Sequence, residues 1–173
     1  MQIKSQTKRL VLCALFVALG AIFSGALSIP VYGSGMYTMK VSLGMVPVIM
    51  AGILYGPVYG GIVGGLTDLV QVLMFPKMGA YQPWFTVVAI FFGLIPGLFF
   101  MKQQKLTLKR IFAAVFSGQV FSSVICNTAL MVWLYNADPL MMVTLRGINQ
   151  AIMIPVFSLL IYWLAPLIEK RHE

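Results

Sequence analysis

The chain has 173 residues, 60% of them hydrophobic and 9% charged, with a formal net charge of +8. An ordinary soluble domain carries about 25% charged residues, and a water-soluble fold of this length could not hide so much apolar surface. The positive balance does not indicate nucleic acid, because the basic residues stand at the ends of apolar runs, where positive charge orients membrane proteins, and do not form a stripe.

The first apolar run follows a basic N-terminus, as a signal peptide would. It continues past any short apolar core and has no small-residue cleavage site, so it is read as a first membrane helix, about Arg9 to Ile29, stopped by Pro30. Along it Ala14, Ala18, Ala21, Gly25 and Ser28 recur in steps of four and three. Such a stripe lies on one helix face and lets another helix's backbone approach closely, inside the bundle or on a partner.

Val31 to Thr38 (VYGSGMYT) reads as a Gly- and Tyr-rich loop. Helix two, about Met39 to Tyr55, contains Pro47 and is short for a full span, so a kink or shielding by neighbours is expected. A Gly56-Pro57 turn leads into helix three, about Val58 to Phe75, where Gly56, Gly60 and Gly64 form an internal packing face. Asp68 continues that face, about 16 Å up the helix at a rise of about 1.5 Å per residue. A charge near the membrane centre costs about 2.5–3.5 kcal/mol on insertion scales, which marks Asp68 as a candidate ligand group with glycine-lined space beside it. A structural pair with a neighbouring helix is the alternative.

The loop from Pro76 to Pro83 carries Lys77 and Tyr81, and helix four runs from about Trp84 to Met101. Tyr81 and Trp84 suit either a ligand's ring or an interfacial aromatic belt. A basic connector, Lys102 to Arg110, precedes helix five, about Ile111 to Tyr135, with Gln119, Ser123 and Asn127 on a polar face. Helix six spans about Leu140 to Ile168 and places Arg146, Asn149 and Gln150 together by steps of three and four. Arginine offers a planar fork of donors for a carboxylate or phosphate, and the amides add donors and acceptors. An interfacial arginine snorkelling to headgroups is the alternative, but two amides beside it gain nothing from lipid, so a binding site is expected there.

Nine of the twelve basic residues fall on one side of the membrane if the N-terminus is cytoplasmic: Lys4, Lys8, Arg9, Lys102, Lys105, Lys109, Arg110, Lys170 and Arg171. Lys40, Lys77 and Arg146 then lie toward the outer face. The expectation is an all-α membrane protein, residues 1–173 forming one compact bundle of six transmembrane helices with both termini cytoplasmic. Its candidate pocket opens outward, with Asp68, Asn127, Arg146, Asn149, Gln150, Lys40, Lys77, Tyr81 and Trp84 as ligand contacts. No catalytic constellation competes, since His172 is the single histidine and no HExxH motif, nucleophile elbow or phosphate loop occurs. Cys13 and Cys126 read as small buried hydrophobes, so no metal site or cofactor is expected.

The Ala14/Ala18 pair, the stretch AGILYGPVYGGIVGGLTD from Ala51 to Asp68, and the six short helices resemble the substrate-binding S components of energy-coupling factor (ECF) vitamin transporters. The resemblance covers nearly the whole chain, and LRGINQAIMIP, Leu145 to Pro155, resembles the folate-specific branch. It implies a bacterial plasma-membrane subunit that captures folate at the outer face and associates with a transmembrane T-component and two cytoplasmic ATPases. Ala14, Ala18 and Ala21 would form the docking surface. Asp68 would take the donors of a pterin edge, and Arg146, Lys40 or Lys77 the glutamate tail. Biotin, pantothenate, riboflavin or thiamine as the vitamin, a stand-alone permease, and a membrane enzyme are the other readings.

Overall fold

The apolar runs fold as six helices in a computed structural model that describes residues 2–26, 28–33, 36–75, 82–101 and 106–169. These are α1 (Gln2–Gly25), α2 (Met45–Tyr55), α3 (Pro57–Met74), α4 (Pro83–Leu98), α5 (Leu108–Tyr135) and α6 (Pro139–Glu169). Between α1 and α2 lies a β-hairpin, β1 (Ile29–Gly33) and β2 (Met36–Val41), which corrects the expected loop and the expected helical start at Met39. Its register pairs Ile29 with Val41, Pro30 with Lys40 and Gly33 with Met36, with an irregularity between Val31 and Tyr32. The physical reason is composition: Ile, Val, Tyr and Thr favour a pleated strand. Pro30 is tolerated because a two-stranded sheet consists only of edges.

Among the described residues four helices are long and apolar enough to cross a membrane, Gln6–Gly25, Pro57–Met74, Leu108–Tyr135 and Pro139–Leu164; α2 and α4 are apolar but shorter. With 11 residues, α2 is about 16 Å long, half a hydrocarbon core. Pro47 sits in its first turn, where the missing N–H costs little, so it starts the helix instead of kinking it. Every residue from Val46 to Ile53 is buried, so α2 is shielded on all sides, as a helix apolar all round must be. Large apolar side chains such as Leu10, Val58, Leu73 and Ile152 face outward around it and form the lipid-facing coat of a membrane protein.

The core joins Val48 and Ile49 of α2 to Val63 of α3, Ile111 and Val115 of α5, and Ile161 of α6. A smaller cluster, Met131, Ala137 and Met142 with Phe85 against it, ties α4, α5 and α6 together at the hairpin end. Gly56 has φ of 97°, a conformation that favours glycine, and Pro57 pre-sets the first turn of α3. The two helices therefore reverse with no intervening loop.

Close approach defines the α2–α3–α4 slab. A Cβ at Gly64 would collide with the carbonyl of Ala89, one at Gly52 with the carbonyl of Gly93, and one at Gly93 with that of Gly60. Backbones so near one another maximise dispersion contact, the main attraction left between helices in lipid. The internal-packing expectation is met at Gly60 and Gly64 and not at Gly56, where nothing lies within 4 Å of a Cβ. Gly147, on α6, has nothing within 4 Å of the same position. Gly64→Ala should therefore lower stability by about 1–3 kcal/mol by forcing α3 from α4. Gly147→Ala should leave it unchanged or raise it by up to about 1 kcal/mol. Thermal unfolding in detergent compares the two.

Candidate functional site

Polar side chains enter the bundle along three seams. On the α3–α4 seam the glycine face of α3 meets α4's backbone, so the space expected beside Asp68 is filled by that helix. Asp68 is half-buried at the top of the seam, and its Oδ2 accepts the Thr86 hydroxyl at 2.8 Å. On the α1–α3 seam Ser24 and Thr67 are buried with hydroxyls lacking a hydrogen-bond partner, and Gln71 is buried one turn beyond Thr67.

The third seam, between α5 and α6, carries the largest polar group. Arg146 is only 4% exposed, and its Nη1 donates to the main-chain carbonyl of Ser123 at 3.2 Å. Gln119, Ser122, Ser123, Thr128 and Gln150 are buried around it, while Asn127 and Asn149 are half-buried. From Val120 to Cys126 helix α5 takes the wider π form. The inward positions step from Ser123 to Thr128, five residues instead of four, so Ser122 and Thr128 join the buried face and Asn127 moves to its edge. That shift could not be seen at α-helical pitch. A π-turn inserts a residue and frequently marks a functional site.

The structure thus brings together Arg146, Gln150, Asn149 and Asn127, and leaves Asp68 in another seam. α3 packs on α1, α2 and α4, whereas α6 packs on α5, α2 and β2. Lys40 lies on β2, the strand against α6, opposite Pro30. Lys77 and Tyr81 lie outside the described residues. Trp84 is 51% exposed and meets Trp133 edge-to-face, ring centroids 6.0 Å apart, an outward aromatic pair at the hairpin end. Among the described residues no group of three His, Cys, Asp or Glu could hold a metal.

The small-residue stripe divides. Ala14 and Ala18 are exposed, but Ala21 is 1% exposed, which corrects its place on the surface. The face is continuous; α3 covers its upper part, where Thr67 crowds Gly20 and the Phe75 ring crowds Gly25. The stripe is thus an internal seam toward the hairpin end and an open surface toward the N-terminal end.

Residues 4–168 match the family described as ECF-type riboflavin transporter, S component. The folate transporter FolT of Clostridium novyi (strain NT) is 30% identical over 151 residues, 86% of this chain and 83% of that protein. The crystal structure of FolT bound with folic acid superposes with a TM-score of 0.77 at 27% identity, covering 92% of this chain and 94% of that one. The S-component for biotin from an ECF-type ABC transporter shares the fold, with a TM-score of 0.75 at 16% identity over 98% of this chain and 95% of its own.

The Thr86 hydroxyl donating to the Asp68 carboxylate links α3 to α4. Thr86→Val should lower stability by about 1.5–3 kcal/mol, the usual worth of a hydrogen bond to a charged group, and change vitamin affinity by less than about threefold. Unchanged stability with a large affinity loss would return Asp68 and Thr86 to the ligand. Unfolding and binding measured on the same variant separate these outcomes.

Proposed function

The chain belongs to the S components of ECF-type transporters, and from that premise we propose that it captures folate at the outer face of a bacterial cell membrane for import driven by partner subunits. The observation that carries the vitamin's identity is the superposition on FolT with folic acid over 92% of this chain, joined by the 30% identity to the FolT of Clostridium novyi. The site chemistry supports it. Folate joins a flat pterin to a glutamate with two carboxylates. The Arg146 guanidinium has five N–H donors in a fork, suited to bidentate carboxylate contact, about 10 Å below the start of α6. Lys40, on the strand against α6, is the second cation we assign to the glutamate tail.

Riboflavin is the second reading, favoured by the description of the matching family. It carries a flat ring but no anionic tail, so a buried arginine serves it less well. The count of basic residues puts both termini in the cytoplasm and the hairpin outside. The exposed Ala14/Ala18 surface suits close approach by a helix of the T-component. Membership of this transporter family supports a role in capture, with two ATPases acting through that partner as the energy source.

Binding of folic acid, pteroic acid amide (the same ring system with a neutral amide in place of glutamate) and riboflavin to the detergent-purified protein tests the proposal. Folic acid should bind and riboflavin should not. Arg146→Ala should weaken folic acid at least about tenfold, as losing a charge-assisted contact worth about 1.5–3 kcal/mol does, and pteroic acid amide much less. Riboflavin binding without folic acid binding would overturn the assignment. The docking surface has its own test. Ala18→Trp should retain folate binding by the isolated protein and abolish uptake into vesicles containing the partner subunits. Loss of binding or folding would show that Ala18 packs internally.

A further inference from the structure

The contact between Arg146 and the Ser123 carbonyl fixes how the antiparallel helices α5 and α6 align. Four residues on along α6 is Gln150, and four residues back along α5 is Gln119, each about one turn deeper into the bundle. The two amides therefore lie at one level on facing helices. Both are enclosed, Gln119 2% and Gln150 7% exposed. Gln119 Nε2, a donor, and Gln150 Oε1, an acceptor, each lack a hydrogen-bond partner, as does Ser122 Oγ, one turn along α5 from Gln119.

Buried amides on facing helices ordinarily close on each other or on the backbone, because polar groups left unsatisfied away from water are costly. A donor and an acceptor at one level that do not close leave a place for an edge with the complementary pattern, one N–H beside one C=O. We infer that Gln119 and Gln150 read the lactam edge of the ligand's heterocycle, Gln150 accepting its ring N–H and Gln119 donating to its adjacent carbonyl, with Ser122 beside them. This rests on the reading of the chain as a vitamin-capturing S component. It moves ring recognition from Asp68, engaged by Thr86 in another seam, to the level directly beneath Arg146. The ligand then stands along the α5–α6 seam, ring inward and charged tail outward. A site built to hydrogen-bond such an edge discriminates strongly against rings lacking it, because the amides are then left buried and unpaired.

A cycle between protein and ligand tests this, using the full chain in detergent with pteroic acid and its analogue methylated on the lactam nitrogen. Methylation should weaken binding to wild type at least tenfold and cost nothing further in Gln150→Leu. Gln119→Leu and Gln150→Leu should each weaken folic and pteroic acid by the same factor. The ligand-free variants should melt no lower than wild type, since each loses an unpartnered buried group. Equal methylation losses in wild type and Gln150→Leu, or unaltered affinity in both variants, would overturn the inference while leaving folate capture standing. If wild type binds riboflavin and not folate, the proposed function fails. The same cycle with riboflavin and its lactam-methylated form, which share this N–H/C=O edge, then still decides the role of the two glutamines.

Discussion

Helices in a bilayer gain little from hiding apolar surface from one another, because the lipid is equally apolar. This chain meets that constraint by removing side chains where α2, α3 and α4 touch. Gly52, Gly60, Gly64, Gly93 and Gly97 bring three backbones into direct contact, and any Cβ there would strike a neighbouring main chain. The slab that results holds α2, too short to span alone, entirely within the protein. With one half of the bundle fixed by backbone contact, the other half is free to carry polar groups.

Those groups collect on α5 and α6 for a related reason. A polar atom inside the membrane needs a partner from the protein or a ligand, as no water is at hand. The π stretch from Val120 to Cys126 turns an additional hydroxyl inward and presents the Ser123 carbonyl to Arg146. A buried guanidinium is thereby held by the backbone of the opposite helix, in a fixed position and close to the outer end. Below it the facing glutamines remain unclosed. Anchoring above and an open donor–acceptor pair below suit a ligand with an anionic tail and a polar ring, the chemistry of the folate bound by FolT.

Much of this could be read from the residues. The six helices follow from the lengths of the apolar runs, and the Arg146, Asn149 and Gln150 group follows from helical spacing. The β-hairpin was hidden because its glycines and tyrosines suit loops as well as strands, and pairing depends on a partner segment that no local window contains. The space beside Asp68 could not be assigned from sequence: glycines at a four-residue spacing admit a ligand or a neighbouring helix, and α4 took the space. Ala21 shares a helical face with Ala14 and Ala18, but periodicity gives direction without depth, and only the packing of Phe75 and Thr67 shows where that face closes. The five-residue step in α5 has no sequence signal at α-helical pitch, which is why Ser122 and Thr128 emerged from the structure alone.

Folate capture of this kind requires a single small molecule occupying the α5–α6 seam. Native mass spectrometry of the purified protein, exposed to an equimolar mixture of folic acid, riboflavin, thiamine, biotin and pantothenate, measures that choice directly. One dominant complex, with the added mass of one folic acid, is expected. A dominant adduct with the mass of any other vitamin, or no adduct from the mixture, would contradict it.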